Sequence, residues 1–166
     1  MSQKRDNALG KMRQAQHSLD LMKHVWGVQT PVLDGYSVEE EFRYYLSSFL
    51  NACYSATCMF DIDAKHLNEE MLSFRREHPQ FCRRETGYRH MDTHSEPVMP
   101  EGKGYKPPQG DAVNFEPQPY TPVAWNMVNF IFKDELYFPS ESEQTVIRRC
   151  SEHLADLHTE IQQICP

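Results

Sequence analysis

Five of the ten arginines, Arg75, Arg76, Arg83, Arg84 and Arg89, fall within one fifteen-residue window, and His78, His90 and His94 lie in it or just beyond. It is the one basic concentration in a chain with a formal net charge of -7. A guanidinium offers paired donors in a planar fork that matches a phosphate, and an imidazole exchanges a proton near neutral pH. Together they can open a phosphodiester without a metal ion. The acidic balance argues against a general nucleic-acid coat, because nonspecific binding rests on phosphate neutralisation. Any RNA contact must therefore be local.

An arginine followed after four to six residues by a histidine occurs four times: Arg83 with His90, Arg84 with His90, Arg89 with His94, and Arg148 with His153. Chance alone gives about 1.4 such matches in a chain of this composition, so position has to decide among them. Arg89 and His94 follow a helical run and stand just ahead of Pro97, where a helix should end.

The elements that would position these residues are read from apolar periodicity. Ala8, Met12, Ala15, Leu19, Met22 and Trp26 are spaced as the stripe of an amphipathic helix, expected over about 5–27. A loop containing Pro31 and Asp34-Gly35 follows, and Ser37 with Glu40 three residues on forms a capping box. A second helix over roughly 38–61 carries one stripe at Val38, Phe42, Tyr45, Phe49, Ala52, Ala56 and Met59 and another at Leu46, Leu50 and Cys53. Two apolar faces make it a central helix.

Leu67, Met71 and Phe74 mark a shorter helix that should stop before Pro79, and residues 80–95 form another that carries the Arg-His pair. Seven of the eleven prolines lie between Glu96 and Pro122, which predicts a long surface loop without a regular element. The aromatic run VAWNMVNFIFKDELYF, with Trp125, Phe130, Phe132, Tyr137 and Phe138, predicts a β-hairpin turning near Lys133-Asp134. Ile147, Cys150, Leu154, Leu157, Ile161 and Ile164 then define a last helix over about 141–164. The expected fold is all-α: an up-down bundle of about five helices in a single domain over 1–166, with helical core 5–95 and 141–164. A loop and β-hairpin insertion, 96–140, precedes the C-terminal helix.

The run Arg89-His90-Met91-Asp92-Thr93-His94 resembles the arginine, polar residue, spacer, histidine motif of the HEPN superfamily. The upstream helix FRYYLSSFLNACYSATCMF and the closing helix with Val146, Cys150, Leu154 and Leu157 are similar to helices of bacterial members. The resemblance covers roughly 5–95 and 141–164. It implies a helical bundle, a homodimer and a metal-independent endoribonuclease acting as a toxin or defence effector, with an antitoxin or regulatory protein as a further partner. By the same resemblance His94 is the general base or acid at the ribose 2′-hydroxyl and leaving oxygen, and Arg89 holds the scissile phosphate. His90 stands where the commonest family residue is asparagine and takes an orienting role. Arg75, Arg76, Arg83 and Arg84 are expected either on a solvated face or as an RNA-phosphate rim, with Arg83 and Arg84 the candidates for substrate binding. On one regular helix, residues five apart point about 140° apart, and in the family two protomers bring their motifs into one cleft. The alternative is a HEPN-fold module that binds nucleotide, RNA or protein without cleaving.

Other chemistry has less support. His90 and His94 are four apart, as are His78 and Cys82, which allows a Cys-His metal site, but no recognised ligand spacing is present and no metal or cofactor is expected. The five cysteines are odd in number and contain no CxxC, so they are expected as buried thiols. Glu39, Glu40 and Glu41 suit the positive start of the second helix, and Phe42, Tyr44, Tyr45 and Phe49 suit a core. No phosphate-binding loop, nucleophile elbow or dinucleotide fingerprint occurs. A polar N-terminus and the lack of an apolar run of roughly 18 residues lead to the expectation of a cytoplasmic protein without a membrane partner.

Overall fold

Ala8, Met12, Ala15, Leu19 and Met22 recur every three or four residues and are all buried, so helix α1 (Ser2–Val28) turns one apolar stripe inward. The computed structural model describes residues 2–60, 65–82, 88–89, 101–103, 129–131 and 146–164. Near its end the α1 stripe drifts by one position, burying Val25 fully and Trp26 only in part. Such drift arises because a straight helix does not keep a strict seven-residue repeat. Gln29 then enters the left-handed region with φ 52°, while its N–H still donates to Val25 O at 2.9 Å. This is a left-handed C-terminal cap.

The connection to α2 (Val38–Cys58) turns through Gly35 at φ 84°, which a glycine adopts without strain. The capping box is present: Glu40 N donates to Ser37 Oγ at 3.2 Å, and Ser37 N donates to Glu40 Oε2 at 2.8 Å. Both apolar faces of α2 are buried, Phe42, Tyr45, Phe49, Ala52 and Ala56 on one and Leu46, Leu50 and Cys53 on the other. Each large apolar side chain so buried contributes roughly 1.5–3 kcal/mol.

Glu41 departs from its expected role at the helix start. It is wholly buried, and its carboxylate accepts hydrogen bonds from Val32 N at 2.6 Å, Leu33 N at 3.2 Å and Tyr45 Oη at 2.6 Å. Burial opposes its ionisation, but these donors prevail and hold the carboxyl below its ordinary pKa. The tyrosine, buried and donating to a carboxylate, is pushed up to about 12. The side chain clasps the preceding loop onto α2.

Ser18 Oγ donates to Ser48 Oγ at 3.0 Å, and Lys11 shares a groove with Ser55, so α1 and α2 run antiparallel. Helix α3 (Lys65–Glu77) buries Met71 and Phe74 and stops before Pro79, as expected. Only His78 separates it from α4 (Pro79–Cys82), where proline occupies a first helical position that needs no N–H. Of the helix expected over 80–95, α4 and the helical pair Tyr88-Arg89 are described; the other positions lie outside the described residues. Helix α5 (Val146–Ile164) buries Cys150, Leu154, Leu157, Ile161 and Ile164 along its expected stripe. It packs on α1, α2 and α3.

The Pro-rich stretch differs from its expectation as a structureless loop. Strand β1 (Glu101–Lys103) lies within it and pairs antiparallel with β2 (Asn129–Ile131), Gly102 standing opposite Phe130. The described partner of the aromatic run is therefore a segment far earlier in the chain. Residues beyond Lys133-Asp134, which the local hairpin requires, lie outside the described residues. Helices make up most of the described chain, and no described helix is long and apolar enough to cross a membrane.

Candidate functional site

Arg89 is placed by the residue before it. Tyr88 is buried and meets Phe81 of α4 edge to face, with ring centroids 5.8 Å apart at 88°. Phe81 in turn stacks on His153 of α5 at 4.1 Å and 7°. This run of rings ties the Arg89 backbone to two helices.

The Arg89 side chain reaches α2. Its Nε donates to Asn51 Oδ1 at 3.4 Å, and its guanidinium carbon lies 4.3 Å from the Tyr54 ring centroid. Asn51 is itself held, donating from Nδ2 to Ser47 O at 3.0 Å. A cation over the negative face of a ring is attracted by about 0.5–2 kcal/mol, depending on how dry the contact is. These contacts fix the orientation of the guanidinium.

Arg75 approaches the same ring, 5.4 Å from its centroid. Its Nε donates to Thr57 Oγ1 at 3.0 Å, and its Nη2 donates to Cys58 Sγ at 3.5 Å. Of the two expectations for Arg75, a solvated face does not describe it: buried Thr57 and part-buried Cys58 draw it half-buried against α2, while neighbouring Arg76 is exposed. Burial and the Cys58 thiol push the Tyr54 hydroxyl above its ordinary pKa, and the two arginines pull the other way. Asn51, Tyr54 and Cys58 follow at helical spacing, so one half-buried polar face of α2 receives both guanidiniums.

Of the residues singled out by the Arg-His pattern, Arg89 is brought to this face. Arg83, Arg84, His90 and His94 lie outside the described residues. The Arg148-His153 match is divided by its own helix. Arg148 forms an exposed ion pair with Glu152 at 2.8 Å, whereas His153 is 2% exposed in the core. That pair meets the spacing without sharing a surface.

His153 was hidden from sequence reasoning among the polar positions of α5. It sits with Phe74, His78 and Phe81, and its Nδ1 has no hydrogen-bond partner among the described residues. Burial, reinforced by His78, lowers its pKa to about 3, so it is neutral in the folded chain. His78 stacks on Phe74 at 4.3 Å and lies 4.0 Å from Asp156. Its pKa is also lowered, burial outweighing Asp156 and Glu77. No group of three or more His, Cys, Asp or Glu side chains able to hold a metal occurs among the described residues. Two members of the Cys-His alternative, His90 and His94, fall outside them.

Asn51 and Tyr54 were also missed. Their signal is the polar stripe Ser47, Ser48, Asn51, Tyr54, Ser55 and Cys58, the complement of the two apolar faces of α2. No family model, curated protein or solved structure matches this chain.

Proposed function

We propose that the chain is a metal-independent endoribonuclease with a HEPN-type helical bundle, a β-hairpin insertion and a dimeric Arg/His site, serving as a toxin or defence effector. The observation that carries this reading is Arg89: a part-buried guanidinium oriented by Asn51 and by the Tyr54 ring, in the segment where the sequence resembles the family motif. Preorganised cations aimed at a phosphate cost no reorganisation when charge develops on it.

In this mechanism Arg89 binds the non-bridging phosphate oxygens. His94 takes the proton of the ribose 2′-hydroxyl, whose oxygen attacks phosphorus to give a 2′,3′-cyclic phosphate. The 5′-oxygen leaves and is protonated by the imidazolium of a second motif across the dimer, with His90 orienting the pair. Each proton transfer contributes typically 10²–10⁴-fold.

The test is incubation of the purified chain with total RNA in EDTA, beside Arg89→Ala and His94→Ala. Wild type should leave fragments ending in cyclic phosphate, and both variants should lose about 10²-fold or more. Cleavage that EDTA abolishes would point to a metal site. Intact RNA from a folded dimer would favour the non-cleaving binding module, a reading to which the net charge of -7 lends weight.

A further inference from the structure

Asn51 has two neighbours of opposite kind. On one side it accepts from Arg89; on the other it lines an open groove of roughly 340 Å³ between α1 and α2. Lys11, Gln14 and His17 form the α1 wall of that groove, and Ser48, Asn51 and Ser55 the α2 wall. Ser18, which also lines it, donates to Ser48 across the groove. No carboxylate is among its described lining residues, in a chain with 24 acidic and 17 basic side chains.

The polar face of α2 from Ser48 to Cys58 is about 15 Å long at 1.5 Å per residue. Lys11 and His17 flank it on one side, and Arg75 and Arg89 reach its far part on the other. The groove's own hydroxyls, amides and Lys11 ammonium, with no carboxylate among its described lining residues, are the donors that grip a sugar-phosphate backbone, whereas a protein partner or an apolar ligand would need a different lining.

We propose that this α1–α2 groove binds the sugar-phosphate backbone of single-stranded RNA next to the phosphate held by Arg89, so that Lys11, His17 and Asn51 set where the strand lies. The assignment rests on the RNA-cleaving reading for its substrate, and it adds a binding track outside the Arg-His motif. Lys11 contacts a phosphate, Ser48 and Ser55 hydrogen-bond backbone oxygens, and Asn51 links the track to Arg89.

A fluorescently labelled, fully 2′-O-methylated six-nucleotide RNA tests the track, since the blocked 2′-oxygen prevents cutting. Its binding to the full chain is read by anisotropy against salt, with Lys11→Glu, His17→Glu and Lys23→Glu compared. Lys23 lines a different groove, between α1 and α5, and its variant changes net charge as much as the Lys11 variant does. Lys11→Glu and His17→Glu should each weaken binding by about tenfold, and Lys11→Glu should lower the salt slope by about one. Lys23→Glu should cost less than about threefold. Equal losses in all three variants would overturn the proposal, as would a wild type that binds no strand. RNA cut in EDTA by a chain whose three variants bind alike would keep the nuclease and remove the groove. Groove-dependent binding with unmodified RNA left whole would do the reverse.

Discussion

Around Tyr54 two guanidiniums lie against one ring, whereas around Phe81 two imidazoles lie among phenylalanines. Both clusters combine basic side chains with aromatics, and burial separates their outcomes. Guanidinium stays cationic in folded proteins, so it is tolerated only where water or acceptors such as Asn51, Thr57 and Cys58 reach it. Imidazole can give up its proton, so His153 enters the core as a neutral ring. One cluster retains its charge; the other discards it to pack. The link between them is Tyr88-Arg89, with its tyrosine in the second cluster and its arginine in the first.

The strongest way to break this arrangement is Phe81→Ala, which removes the ring between His153 and Tyr88. It should cost roughly 3–5 kcal/mol in urea unfolding, the usual range for a buried phenylalanine. A cost below 1 kcal/mol would show that the stack does not seat Tyr88.

Acid gives the next largest effect. His153 titrates near 3 when folded, against an ordinary value of 6.5. A histidine with a depressed folded pKa stabilises the fold fully above its unfolded pKa, and that stability drains as pH falls from 6.5 towards 3. The slope approaches 1.4 kcal/mol per pH unit below the unfolded pKa, so about 2 kcal/mol should be lost between pH 7.5 and 5. His78, lowered in the same direction, adds to the loss. Denaturation midpoints of wild type and His153→Phe at pH 7.5 and 5 would read this. The phenylalanine variant should lose much less, and equal losses would mean that the imidazole is solvated.

The smallest effect sharpens the other side of the comparison. A double-mutant cycle of Tyr54→Leu and Arg89→Met should return a coupling of about 0.5–1 kcal/mol, the value of a partly wet cation–π contact. Zero coupling would shift the orienting role on α2 from the Tyr54 ring to the Asn51 hydrogen bond.

The long helices were legible because burial acts on them position by position. The stripes of α1, α2 and α5 are the buried residues almost one for one, and Ser37 with Glu40 caps α2 as read. Residue type misled where tertiary partners reversed it. Glu41 and His153 belong to types that favour the surface, yet each is buried, the first satisfied by backbone donors and the second uncharged. The half-buried seat of Arg75 is not legible locally, because nothing near it in sequence signals Thr57 and Cys58, eighteen and seventeen residues before it. The β1–β2 pairing joins segments that are distant in sequence, and local turn signals around Lys133-Asp134 could not reveal it. In the candidate site the spacing of Arg89 was visible, but its seat on Asn51, thirty-eight residues earlier, was not.

The position of α2 also bears on how the chain reaches its native state. Its partnership with α1 spans only the nine residues 29–37, clasped by Glu41, so this helical hairpin closes a short loop. Its contact with α5 waits for a segment that begins at Val146. Closing the longer loop carries the larger entropic cost, and contacts of high sequence separation slow folding. During synthesis the α1–α2 hairpin therefore precedes the arrival of α5, with the Leu46, Leu50 and Cys53 face of α2 still awaiting cover.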